Sequence, residues 1–187
     1  MFFWLSKIRI PVMIVAVIAV IIRVLVYRVH PRDPFDWQDY ASMAGNATLV
    51  LGLLLRSWAA SVIHKKEELA TSGPYSLCRH PLYAGSSLMV IGFTILLGDT
   101  ISAAILIPVV IATLLIAIVT EEQILTKKFG TSWEEYCKTT PMFLPFSLPG
   151  GWGAVSLDQW WVNREYEAVA ASLVGVLGVL GWHVWTN

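Results

Sequence analysis

Hydrophobic positions in this chain fall into long unbroken blocks, not at the short period of a soluble helix or strand. Apolar runs cover residues 10–29, 41–63, 82–97, 101 to beyond 120, and 166–185. A helix needs about 20 apolar residues to cross a bilayer, so the pattern predicts about five transmembrane helices and an all-α, polytopic membrane bundle. The intervals between the runs are short. His30 to Tyr40 carries two prolines and three aspartates, a helix-breaking composition that belongs in water or at the interface. Gly98-Asp99-Thr100 is too short for anything but a tight antiparallel hairpin between the third and fourth spans.

The longest polar interval between two apolar runs extends from His64 to Gly85, and its centre, Arg79-His80-Pro81-Leu82-Tyr83, sets a cation, an imidazole and a phenol beside a proline suited to open the next helix. The fourth helix is expected to continue past the membrane border through Glu121 and Glu122 to Lys127 and Lys128, with Gly130 as its C-cap. A short amphipathic helix around Trp133-Glu134-Glu135-Tyr136 and a segment with Pro141, Pro145 and Pro149 follow, placed to cover a site. The last span carries Ala171, Gly175, Gly178 and Gly181, a small-residue ridge suited to close packing in the bundle or in a homodimer.

Composition agrees with this reading. Hydrophobic residues make up 56% and charged residues 14%, with a mean hydropathy of +0.64, far from the proportions of a soluble domain. Spans use up most of the 187 residues, which leaves one membrane domain and confines any chemistry to helix ends and short loops. The net charge of zero argues against nucleic acid as a partner. Cys78 and Cys137 form no Cys-x-x-Cys pair and the histidines no His-Glu-x-x-His motif, so no metal site is expected. Lys7 and Arg9 precede the first run as in a signal peptide, but the run is long and no small-x-small cleavage site follows, so it reads as a retained span. Arg23, inside that span, is expected to snorkel to the nearer surface, whereas Arg56 sits deeper in the second span than an interfacial anchor needs. With the N-terminus inside, Lys7, Arg9, Lys65, Lys66, Arg79, Lys127, Lys128, Lys138 and Arg164 are cytoplasmic, against Arg28 and Arg32 outside, as the positive-inside rule requires. The Arg-His-Pro stretch and Glu121-Glu122 share a face in either orientation.

Residue types alone leave two readings of that face open. It suits a polar cofactor entering from water beside an apolar acceptor from the bilayer, and it also suits lipid phosphates bound by Arg79 and Lys127. A set of motifs adds to this. Leu55-Arg56-Ser57-Trp58-Ala59, Glu68 through Tyr75, Arg79-His80-Pro81-Leu82-Tyr83-Ala84-Gly85, Glu121-Glu122, Phe129-Gly130 and Pro141-Met142-Phe143-Leu144-Pro145 together resemble the isoprenylcysteine carboxyl methyltransferase and phospholipid methyltransferase superfamily, over residues 55–145. The span at residues 166–185 is additional to that core.

The resemblance implies an S-adenosylmethionine-dependent membrane methyltransferase with a cofactor pocket on the cytoplasmic face. Gly73, Pro74, Tyr75, Arg79, His80, Tyr83, Gly85, Glu121 and Glu122 are its implied cofactor-binding residues. Arg79, Tyr83 and Glu122 are its implied catalytic residues, and the acceptor would be a lipid or prenylated carboxylate or amine from the bilayer. A sterol-type reductase using NADPH, distantly similar in the Arg-His-Pro region, and a non-enzymatic lipid-binding protein remain as alternatives.

Overall fold

The computed structural model describes residues 2–64, 68–143 and 151–187, with side chains from Ile8 onward in those segments. Lys65, Lys66 and the 144–149 end of the proline-rich segment expected to cover the site lie outside the described residues, as does the side chain of Lys7. Every regular element among the described residues is helical. The elements are α1 (Phe2–Val26), α2 (Tyr40–Val62), a 3-10 turn (Gly73–Ser76), α3 (Pro81–Leu97), α4 (Thr100–Phe129), α5 (Thr131–Thr139), α6 (Leu157–Val162) and α7 (Tyr166–Thr186).

Five long helices form the bundle, as the apolar runs predict, but they do not all have the character of a span. Among the described residues, three can cross a membrane by length and composition: Ile8–Val26, Thr100–Phe129 and Tyr166–Thr186. Helix α3 has only 17 residues, and the apolar content of α2 is diluted by Ser42, Asn46, Thr48, Arg56 and Ser57. These two weaker helices pack most extensively on one another.

Glycine permits that approach. A Cβ on Gly52 would lie 2.6 Å from the Gly85 carbonyl oxygen, and one on Gly92 would lie 2.7 Å from that of Gly45. Two glycines per helix, seven residues apart, thus bring the backbones of α2 and α3 into contact along a single stripe.

Helix ends follow their local chemistry. Asp39 caps α2 through Ala41 N–H, and Asp99 caps α4 through Ser102 N–H at 2.8 Å. Gly98, at φ 64°, closes α3 in the left-handed region, which makes the expected hairpin. Proline 81 opens α3, and Gly130 ends α4 after Lys127 and Lys128.

Arg23 corrects the snorkelling expectation. Its Nε and NH2 donate to the two carboxylate oxygens of Asp99 at 2.8 and 3.1 Å, which ties α1 to the α3–α4 hairpin. Beside that tie, Ala16, Val20 and Leu106 form the α1–α4 core, flanked by Val24, Val90 and Val109.

Away from these contacts the outer surfaces stay apolar and exposed, as at Val15, Ile18, Leu54, Ile111, Leu173 and Leu177, so the hydrophobic exterior faces lipid. This is an integral membrane protein. On α7 only one member of the glycine ridge is used: a Cβ on Gly175 would meet the Phe93 ring at 2.7 Å, whereas Gly178 and Gly181 have nothing within 4 Å.

Candidate active site

The site is built at one end of the bundle, where the 3-10 turn leads into α3 and α4 runs past it. Gly73 starts the turn at φ 60°, a conformation available to glycine, and its α-carbon region lies against the Trp152 carbonyl, where a Cβ would come within 2.8 Å. The turn is pinned from α5, since the Tyr136 hydroxyl donates to the Tyr75 carbonyl at 2.5 Å. Next in the chain, Arg79 N–H donates to the Pro141 carbonyl at 2.8 Å and His80 N–H to that of Met142 at 3.3 Å. The Arg-His dipeptide is therefore held by its backbone as well as by its side chains.

One carboxylate oxygen organises the polar centre. Glu122 Oε1 receives Arg79 NH1 at 2.9 Å and His80 Nε2 at 3.1 Å. Arg79 also reaches Cys137 Sγ at 2.9 Å and lies over the Trp133 ring. His80 is buried, its ring stacked on Tyr83 with centroids 5.7 Å apart. Glu121, one residue before Glu122 and hence about 100° around the helix, points elsewhere. Its Oε2 lies 3.9 Å from His80 Nδ1, too far for a hydrogen bond, and Tyr83 and Arg9 share its surroundings.

Two cavities meet at this centre. The larger, about 560 Å³, runs from Tyr75, Arg79, His80, Tyr83 and Glu121 along Ile10, Met13 and Ile14 of α1 and Thr113, Leu114 and Ala117 of α4, with Arg56, Asn163 and Glu165 on its other side. Such a volume lies within the range of about 300–1,000 Å³ typical of small-molecule sites. The smaller, about 220 Å³, lies between the 3-10 turn, α4 and α5 and is lined by Leu69, Ala70, Ile124, Leu125, Phe129 and Trp133. Ile63, Tyr75, Arg79 and Glu121 line both.

The shared wall carries unused hydrogen-bonding capacity. The Tyr75 hydroxyl and Arg79 Nε are buried with no hydrogen-bond partner among the described residues. Burial pushes the Tyr75 phenol well above its usual range, and the Glu121 carboxylate adds to the effect, so this hydroxyl stays protonated. Burial likewise raises Tyr136 and the Cys78 thiol. Buried donors without partners are rare enough to call for a reason, and a bound polar ligand supplies one.

Several residues singled out from the sequence take other places. Glu122 lines neither cavity, because its carboxylate is turned to Arg79 and His80; Glu121 is the acid that faces both. Gly85 lies at the α2–α3 crossing, against Gly52 O and the Arg56 side chain, and is outside the cavity walls. Gly73 and Pro74 are buried in the turn and shape it without lining either space.

Glu165 is a cavity residue that the sequence did not mark. It lies between α6 and α7, 109 positions after Arg56, and takes Arg56 Nε at 2.8 Å and NH2 at 3.0 Å in a bidentate pair; Ser86 Oγ receives Arg56 NH1 at 2.6 Å. The depth of Arg56 in α2 was the available signal, and it pointed to a partner without naming one. Arg9 likewise lines the larger cavity, where the sequence suggested a cytoplasmic charge flanking the first span.

Residues 40–132, from the start of α2 to the start of α5, match the phospholipid methyltransferase family. This stretch holds the 3-10 turn, Arg79-His80 and the two glutamates. The chain belongs to the isoprenylcysteine and phospholipid methyltransferase superfamily. It is 35% identical over 109 residues to a protein-S-isoprenylcysteine O-methyltransferase of Schizosaccharomyces pombe, which covers 52% of this chain and 46% of that protein.

Two bacterial relatives carry names from metal resistance. The nickel-cobalt-cadmium resistance protein NccN of Alcaligenes xylosoxydans xylosoxydans is 31% identical over 117 residues, 59% of this chain and 54% of its own length. The cobalt-zinc-cadmium resistance protein CzcN of Cupriavidus metallidurans is 32% identical over 120 residues, 62% and 55% of the two chains. The chain thus spans about half the length of the curated relatives it matches. No solved structure matches it.

Proposed function

We propose that this chain is an S-adenosylmethionine-dependent membrane methyltransferase whose acceptor is a lipid or prenylated molecule arriving from the bilayer. The observation that carries this reading is the meeting of two cavities at Tyr75, Arg79 and Glu121. The smaller is walled by the loop-side elements and suits a cofactor entering from water. The larger continues along apolar side chains of α1 and α4, those of Ile10 and Ile14 being exposed, and suits a hydrocarbon chain. Methyltransferase relatives and the family match over the same residues support it.

The residues present fit the cofactor. Glu121 offers a carboxylate to a cationic ligand, and the unpartnered Tyr75 hydroxyl and Arg79 Nε offer donors to its polar groups. When bound, S-adenosylmethionine supplies an electrophilic methyl group on a sulfonium centre. Glu122 holds Arg79 and His80 in place, and Glu121 lowers the energy of positive charge at the junction of the cavities. Methyl transfer needs in-line approach and little proton handling, so positioning and exclusion of water supply most of the acceleration. A carboxylate acceptor needs no base. An amine acceptor must lose a proton, and Glu121, at the junction of the cavities, is placed to take it, Glu165 being held by Arg56.

The basic residues around this end, among them Lys127, Lys128 and Lys138, orient it toward the cytoplasm under the positive-inside rule. Calorimetry on the detergent-solubilised protein tests the cofactor. Binding of S-adenosylmethionine and S-adenosylhomocysteine without binding of NADPH is expected; the reverse selects the reductase reading, and neither selects a lipid-binding role. The acceptor route is tested with a series of prenyl- or acyl-cysteine acids. Each buried methylene contributes about 0.8 kcal/mol, so five more carbons should improve apparent affinity about 10³-fold before saturation. Activity independent of chain length would rule out entry from the bilayer.

A further inference from the structure

At the end of the bundle opposite the candidate active site, two histidines from opposite ends of the chain converge. His30 lies in the linker after α1 and His183 in the last turn of α7. Arg32 N–H in the same linker donates to the Leu96 carbonyl, at the end of α3 remote from His80. The imidazole rings are stacked, with centroids 6.1 Å apart and planes 28° from parallel. Both Nε2 atoms face a single small group, the side-chain amide of Asn187, at 3.1 Å from His30 and 2.7 Å from His183.

The arrangement is fixed by backbone contacts. His183 Nδ1 donates to the Pro31 carbonyl at 2.8 Å, and one residue earlier Trp182 Nε1 donates to the Val29 carbonyl at 2.8 Å. A protonated Nδ1 leaves the Nε2 lone pair of His183 pointing at the amide. A ligating histidine characteristically shows this: the distal N–H is bonded to a backbone carbonyl, which sets the tautomer and aims the other nitrogen. His30 and Asn187 are exposed, so an ion can reach the pair from water.

We propose that His30 and His183 form a binding site for a divalent transition-metal ion with imidazole preference, such as zinc or nickel. The ion takes the position between the two Nε2 atoms, displacing the amide N–H of Asn187 from His183, and the His30 Nε2 proton that now points at the Asn187 carbonyl oxygen moves to Nδ1 of the same ring. The Asn187 carbonyl oxygen and water fill the remaining positions. Metal–nitrogen distances of about 2.0–2.1 Å are shorter than the present contacts of the two Nε2 atoms with the amide, 3.1 and 2.7 Å, so both rings close inward on the ion. The bound ion clamps the α1–α2 linker to the end of α7. The site is independent of the methyl-transfer reading, since none of its residues touches either cavity.

The test uses the full chain, purified in detergent with any affinity tag removed, and zinc chloride as the probe. Titration calorimetry should show one zinc per chain. His183→Asn, which keeps a donor at the Nδ1 position for Pro31 but lacks Nε2, and His30→Ala should each weaken zinc binding at least tenfold. His64→Ala, at the other end of the bundle, should leave it unchanged. Zinc should raise the melting temperature of the wild type and not that of the double variant, because a ligand of the folded state stabilises by mass action.

Absence of stoichiometric uptake by the wild type would overturn the proposal, as would equal zinc affinity in the double variant. Should His183→Asn lower the metal-free melting temperature, the exposed His30→Ala decides the matter alone.

Discussion

Glu121→Gln removes the charge that faces both cavities while leaving the shape of the side chain. In the proposed complex Glu121 opposes the sulfonium. Two unit charges about 4 Å apart at an effective dielectric of about 20 attract by about 4 kcal/mol. The Glu121 side chain is 38% exposed, and solvent screening at that level takes roughly half of it, leaving about 2 kcal/mol. Affinity for S-adenosylmethionine should fall about 30-fold. S-adenosylhomocysteine has no sulfonium charge and should lose much less, so calorimetry with the two ligands on one protein preparation reads the difference directly.

Glu122→Gln gives the contrasting pattern. Its carboxylate holds Arg79 and His80 and faces neither cavity, so both ligands should weaken together as the Arg-His pair is released. Equal losses for the two ligands in Glu121→Gln, or wild-type affinity for both, would refute the assignment of Glu121 to the charged centre.

Three further substitutions test the scaffold. Gly52→Ala puts a methyl 2.6 Å from the Gly85 carbonyl oxygen and should cost about 1–3 kcal/mol as α2 and α3 are forced apart, read as a lower melting temperature; Gly178→Ala, with nothing within 4 Å, should cost nothing. Glu165→Gln leaves Arg56 without its bidentate partner and should destabilise by about 2–4 kcal/mol, with the double variant Arg56→Met/Glu165→Leu recovering most of the loss. Asp99, held well below the usual carboxylate range by the Arg23 guanidinium and by Ser102, contributes stability that is present above its unfolded value, about 3.9, and is lost as pH falls through its lower folded value. Asp99→Asn should therefore melt below the wild type by a constant margin from pH 5 to 8, a gap that closes under more acidic conditions; a gap that widened in acid would contradict the pairing.

Helix identity and helix ends in this protein follow from local rules that the sequence displays. Apolar blocks of span length, Pro81 at a first turn, Asp99 ahead of α4 and Gly130 behind it are decided within a few residues of themselves, and α4 runs through Glu121 and Glu122 to Phe129 as its helix formers require. The membrane class and the superfamily motifs are linear properties as well. Among the described residues three helices are long and apolar enough to span by composition alone. An apolar run does not disclose that α2 and α3 shelter each other along a glycine stripe, and only their packing shows it.

The site was legible as a set of residues and not as a geometry. Adjacent glutamates look alike in sequence, yet a 100° step around α4 gives Glu122 to Arg79 and His80 and turns Glu121 into the cavities. The partners of Arg23 and Arg56, and the convergence of His30 with His183, join positions far apart in the chain. Such pairings depend on how whole helices are rotated and stacked. That arrangement is the sum of many weak contacts spread over the bundle, and no short segment of sequence encodes it.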